Sequence, residues 1–253
     1  MDTTFGGDTV SQTDRRQNTQ DQGGPRVSPS EALQRLIDGN ERFLRGESRF
    51  GGMRPKMLDE LARGQQPFAT ILGCADSRVP PELIFDAVLV ELFVVRVAGN
   101  VVSAEVAGSL QYASAHLRTP LIVVFGHEGC GAVEATFKTM RLGVRQRSRI
   151  QSLVDSIMPA IEEVDAGLPP LEQLSRAVKT NVRWQWAAIW KSPEVRERPA
   201  DDLLVVGSVY DLRSGRVTWL DRRGTIPTAS RSTTQLDGSR AALLGRDPHE
   251  RSG

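Results

Sequence analysis

Sulfur is scarce in this chain of 253 residues, which has two cysteines, Cys74 and Cys130. Two thiols in so long a chain are not the framework of a disulfide-stapled secreted fold. Histidine is nearly as scarce, with three. Charge of one sign is missing too: 32 Lys and Arg against 31 Asp and Glu leave a net charge of +1. There is therefore no basic field of the kind that nucleic acid or an anionic membrane would call for, and neither is expected as a partner. Long apolar runs are also absent. The longest, Ala87 to Gly99, is interrupted by Glu91 and Arg96. It falls short of the roughly 20 residues of a bilayer span and reads as a buried strand. The opening residues carry four aspartates and no apolar core, unlike a secretory signal or a transit peptide. A reducing cytoplasm is the expected location, and it leaves both thiols free to act as ligands.

Residues 1–27 and 222–253 are rich in Ser, Thr, Gly, Gln, Asp and Arg without any sustained period. Such segments bury too little apolar surface to offset the entropy of ordering, so both are expected to be disordered tails around one domain, 28–221. The domain opens with a helical arm, in which Ser28 or Ser30 is a candidate N-cap before apolar Leu33, Leu36, Ile37 and Phe43. From Phe68 the pattern changes to short, β-branched apolar runs: FATILG, LFVVRV and PLIVVFG. Runs of this kind suit strands buried on both faces of a parallel sheet. Between the second and third, Val102, Val106, Leu110, Ala113 and Leu117 share one helical face. Further helical stretches follow Cys130, and then DDLLVVGSVYDL and GRVTWL form a strand and its hairpin return. The expected fold is α/β: a mostly parallel central sheet of about four parallel strands plus an antiparallel edge strand, flanked by helices.

The chemistry sits at strand ends, where open α/β sheets place their sites. GCADSRVPPE brings Cys74, Asp76 and Arg78 together just after one strand, and FGHEGCGA brings His127 and Cys130 together just after another. Cys130 falls where a helix should begin, a position that favours a thiolate. A lone His-x-x-Cys is a weak signal, and a cysteine at a strand end is often only a small hydrophobe. Here both thiols and a strand-end histidine map to the same sheet edge. With the two strands adjacent, Cys74, His127 and Cys130 make a Cys2His donor set, which leaves a fourth metal position open.

CADSRVPPELIFD followed by HEGCGAV resembles the β-class carbonic anhydrases, and the likeness runs from about Pro29 to about Leu220. FVVR, AGN, NVR and the VVG.VYDL.SG.V pattern recur in the family's order. The resemblance implies Zn2+ on Cys74, His127 and Cys130, and reversible hydration of carbon dioxide to bicarbonate and a proton. It also implies a homodimer or homotetramer. In such a site Asp76, held by Arg78, would orient a zinc-bound hydroxide, and released from Arg78 it could become the fourth metal ligand of a closed state. Gln65 matches a glutamine that donates to bicarbonate, Phe93 and Tyr112 match aromatic walls of the carbon dioxide pocket, and the Gly131 amide is placed to donate near zinc. Ile71 stands where one subgroup has the tryptophan of an inhibitory bicarbonate pocket, which leaves Arg96 as a structural ion-pair partner. The segment Ala87 to Glu91 departs from the family's Gly-containing turn. His116 and His249 belong to no motif. Two alternatives share these residues: a zinc hydrolase acting on carbonyl sulfide or carbon disulfide, and a non-catalytic zinc-stabilised scaffold. The intact Asp76 and Arg78 speak against the scaffold.

Overall fold

The computed structural model describes residues 27–49, 61–162, 164–199 and 201–220. The expected tails, and His249 with them, lie outside the described residues apart from Val27. The first helix, α1 (Pro29–Arg45), starts as its sequence directs. The Ser28 hydroxyl accepts from the Glu31 amide at 3.2 Å, and Gly46, at φ 69°, ends it. Ala32, Leu33 and Leu36 are buried on its inner face. On that face Gly39 lies so close to the Phe85 carbonyl that a Cβ would come within 1.8 Å of the oxygen. Asn40 then fastens the helix: its amide nitrogen donates to Ile84 and Gly215, and its oxygen accepts from Val217.

The sheet holds β1 (Ala69–Gly73), β2 (Leu92–Arg96), β3 (Leu121–His127), β4 (Leu204–Tyr210) and β5 (Val217–Leu220), in the order β2-β1-β3-β4-β5. The first four are parallel and β5 returns antiparallel to β4. Among the described residues the other elements are helices α2 (Pro81–Ile84), α3 (Ala104–Ala115), α4 (Gly131–Leu142), α5 (Arg149–Ile161), α6 (Pro170–Trp190) and α7 (Pro193–Arg196), with a 3-10 turn at Ala98–Asn100. None of the described helices is long and apolar enough to cross a membrane. β1 and β3 are buried at every position, as their unbroken apolar runs require. Gly73 pairs with Phe125, so the two strands deliver Cys74 and His127 to the same edge.

The run from Ala87 to Gly99 is not a buried strand. Only Leu92–Arg96 is extended, it is an edge strand, and its residues are half-buried or exposed. Ala87 to Glu91 is a turn in which Val90 takes φ 65°. What holds the turn is polar: the Glu91 carboxylate accepts from the Val88 amide at 2.9 Å and from Arg49 at 3.1 Å. Beneath it Asp86, fully buried, binds Arg42, Ser48 and Arg49.

Candidate metal centre

Cys74 leaves β1 into a loop whose carbonyls are gripped from the neighbouring strand. Arg96 donates to the Cys74 oxygen at 2.9 Å and to the Asp76 oxygen at 2.5 Å. Arg96 therefore serves the loop backbone and makes no ion pair among the described residues, contrary to the sequence expectation. Its position at the end of the outer strand turns the guanidinium toward carbonyls. Ile71 is buried in β1. His127 ends β3, the chain turns through Gly129 at φ 65°, and Cys130 becomes the N-cap of α4.

These elements place the Cys74 Sγ, a His127 ring nitrogen and the Cys130 Sγ within 4.8 Å of one another, all on buried residues. The two sulfurs are 4.0 Å apart. The ring is oriented by its own neighbour: Nδ1 lies 3.0 Å from the Glu128 carbonyl, which makes Nδ1 the protonated nitrogen. That leaves Nε2 as an acceptor, and Nε2 is buried with no hydrogen-bond partner among the described residues. A buried nitrogen lone pair facing two thiols costs stability unless something fills the space between them. A divalent metal suits both the geometry and the chemistry, because soft thiolates with imidazole are zinc ligands.

The thiols are not equivalent. In the metal-free pair the Cys74 thiol is lowered, first by the hydrogen bond from Cys130 and then, against the opposing effect of burial, by His127 and by the Asp76 and Gly99 amides. Cys130 is raised, chiefly because it donates to the Cys74 thiolate and also because it is buried. The helix terminus alone pointed to Cys130 as the readier thiolate. The Ala132 and Val133 amides do favour its ionisation, but the first thiolate nearby outweighs them. Burial pulls His127 down, and the Cys74 thiolate more than restores it.

Asp76 lies beside this cluster and is held away from it. Arg78 grips the carboxylate through Nε at 2.9 Å and Nη2 at 2.6 Å, and its own amide adds a third donor at 3.0 Å. The nearer oxygen, Oδ2, is 3.9 Å from His127 Nε2. The Arg78 hydrogen bonds, stronger than the opposing effect of partial burial, hold the Asp76 carboxyl well below the usual carboxylate range. Arg78 also reaches the Gly129 carbonyl at 3.4 Å, which links the Asp76 loop to the His127 loop. Asp76 is thus bound to arginine and stands outside the donor cluster of Cys74, His127 and Cys130.

The carbonic anhydrase family profile matches residues 69–217, from the first residue of β1 to the start of β5. The chain belongs to the β-carbonic anhydrase family. It is 36% identical over 204 residues to carbonic anhydrase 2 of Mycobacterium tuberculosis, covering 80% of this chain and 98% of that one. The carbonic anhydrase of Mycolicibacterium smegmatis is 34% identical over 203 residues, with the same coverage. Among solved structures, tetrameric β-carbonic anhydrases of Sordaria macrospora superpose with a TM-score of 0.61 at 26% identity, covering 74% of this chain and 96% of theirs. The enzyme class follows: this β-carbonic anhydrase is a lyase whose family's general reaction is hydration of carbon dioxide.

Of the residues expected in the pocket, Phe93 and Tyr112 meet, with ring centroids 6.2 Å apart, and the His116 ring lies tilted against Tyr112 at 5.0 Å. His116 is exposed at the end of α3, as a helix-surface residue. Gly131 opens α4, where a Cβ would meet nothing within 4 Å. Gln65 is exposed in the loop before β1, whereas Cys74 follows the other end of that strand. No hydrogen bond or ion pair among the described residues ties Gln65 to the cluster. Gly99 went unassigned in the sequence, yet its amide reaches the Cys74 sulfur at 3.4 Å. The AGN motif was its only signal.

Proposed function

We propose that this chain hydrates carbon dioxide reversibly to bicarbonate and a proton at a zinc centre held by Cys74, His127 and Cys130, with Asp76 and Arg78 as its catalytic dyad. The observation that carries the reading is His127 Nε2, which has no hydrogen-bond partner among the described residues and is buried against two thiols, 3.9 Å from a carboxylate clamped on arginine. When bound, zinc supplies a Lewis acid that makes a hydroxide nucleophile available near neutral pH.

The chain's own residues do the rest. Asp76, ionised because Arg78 holds it, accepts a hydrogen bond from the nucleophile and turns a lone pair toward the substrate carbon. Arg78 keeps Asp76 from moving onto the metal, the closed alternative. Phe93 and Tyr112 form an apolar wall suited to a linear, uncharged substrate. The Gly131 amide, unpaired within its helix, supplies a donor for bicarbonate oxygens. A homodimer or homotetramer is supported by the tetrameric Sordaria macrospora enzymes and by the half-buried apolar residues of the outer strand β2. A reducing cytoplasm suits two thiols that must stay free as ligands.

The test is a stopped-flow assay of the zinc-loaded chain on carbon dioxide, with carbonyl sulfide alongside. Carbon dioxide is expected to be the better substrate, Cys130→Ser to lose zinc and activity together, and Arg78→Ala to keep zinc while losing most activity. Full zinc content in Cys130→Ser, or turnover of carbonyl sulfide alone, would overturn the reading.

A further inference from the structure

The NVR motif of α6 plays no part in the chemistry above, yet it leads straight to the metal centre. Asn181 and Gln185, one helical turn apart, present two amides to the core with exposures of 1% and 2%. Primary amides in so dry a place are destabilising unless every group is paired. Here the pairing has a direction. Gln185 Nε2 donates to Asn181 Oδ1 at 3.1 Å, which obliges Asn181 to present its Nδ2 outward, and that nitrogen donates to the Gly99 carbonyl at 2.9 Å. Gln185 Oε1 accepts from the Val102 amide at 2.8 Å. The segment between β2 and α3 is thus pinned at two points, Gly99 and Val102, by a single helix face.

Between those pins Gly99 takes φ 71°, and a Cβ there would lie 2.6 Å from Ile157 Cδ1. The turn seats only glycine, and α5 closes over it. In this pose the Gly99 N–H points at the Cys74 sulfur, 3.4 Å away. A hydrogen bond to a ligating sulfur draws electron density from it, and outer partners of this kind orient a ligand and tune the metal. Resting on the zinc reading above, we propose that Asn181 and Gln185 are positioning residues for the metal centre: acting through Gly99, they hold an N–H donor on the Cys74 sulfur and so set the orientation and donor strength of that ligand.

The experiment uses the full-length chain loaded with Co2+, whose sulfur-to-metal charge-transfer band reports the electron density on the thiolates. Asn181→Leu removes the donor to Gly99. Gln185→Met keeps the side-chain shape while releasing both Asn181 and Val102. Asp86→Asn, remote from this turn, serves as a control for general loss of stability. With one cobalt per chain in each, the band is expected to move to longer wavelength in Asn181→Leu and Gln185→Met and to stay in place in Asp86→Asn. Cobalt affinity, read by chelator competition, should fall roughly 10-fold or more in the first two, the usual cost of losing an outer partner. An unmoved band and unchanged affinity in both variants would overturn the proposal, as would an equal shift in the Asp86→Asn control. A wild-type chain with no thiolate band at all would instead overturn the metal reading beneath it. Gln185→Met, the milder change, decides the matter if Asn181→Leu does not fold.

Discussion

Replacing Asp86 by Asn tests how the helical arm is fastened to the sheet. The carboxylate is fully buried and accepts four hydrogen bonds: from Ser48 Oγ at 2.8 Å and the Arg49 amide at 2.6 Å on one oxygen, and from Arg42 Nε at 2.6 Å and Arg49 Nε at 3.2 Å on the other. Asparagine has nearly the same shape, but one oxygen becomes an NH2 group. Whichever way it faces, two donors then confront a donor. Burial alone would raise the Asp86 carboxyl, but these hydrogen bonds outweigh it and bring it from an ordinary 3.8 to about 2. At ~1.4 kcal/mol for each pH unit, that depression stabilises the fold by about 2 kcal/mol. Stranding one partner of a buried ion pair costs ~3–5 kcal/mol, and the partial exposure of Arg42 and Arg49 lowers that figure here. The expected loss at neutral pH is therefore about 3 kcal/mol. The assay is equilibrium urea unfolding followed by tryptophan fluorescence, with both proteins zinc-saturated and at equal concentration, so that any self-association contributes equally. The sign with pH is set by the depressed carboxyl: its contribution is present above the unfolded value of 3.8 and is lost as pH falls through about 2. The gap between wild type and variant should thus be constant across neutral pH and narrow only in strong acid. A loss under about 1 kcal/mol, or a gap that widens on acidification, would refute the reasoning.

Because Arg78 holds the Asp76 carboxyl well below the usual range, Asp76 stays ionised in mild acid. The rate ratio of wild type to Asp76→Asn should therefore be flat from about pH 6 to 9, and a ratio collapsing below neutrality would show Asp76 taking up a proton there. Gly126 lies on β3 where a Cβ would come within 2.5 Å of Val182 Cγ2, so Gly126→Ala should destabilise the fold by ~1–3 kcal/mol through overpacking. Thermal unfolding of the Gly126→Ala, Val182→Ala double variant should show part of that loss recovered, since the colliding methyl is gone.

Much of this protein was legible from its sequence because the informative signals were local. Unbroken apolar runs mark β1 and β3 as buried strands, Ser28 marks a helix start, and the scarcity of cysteine and histidine makes their meeting at strand ends conspicuous. The parallel order of β1 and β3 then brings Cys74, His127 and Cys130 together. Period and residue type report burial and chemistry, but they do not report backbone direction or the partner of a polar group. For that reason Ala87 to Glu91 passed for a strand when it is a turn held by Glu91 and Asp86. For the same reason Arg96 looked like an ion-pair partner when it grips carbonyls. The order in which the two thiols ionise likewise depends on which sulfur receives the Gly99 amide and the Cys130 proton, and both reach Cys74 from distant parts of the chain. Asn181 and Gln185 stand far along the chain from the sulfur they serve. Only the packing of α6 on β3 and β4 brings them to the turn at Gly99, because a hydrogen bond depends on angle and distance, and those are set by the whole fold.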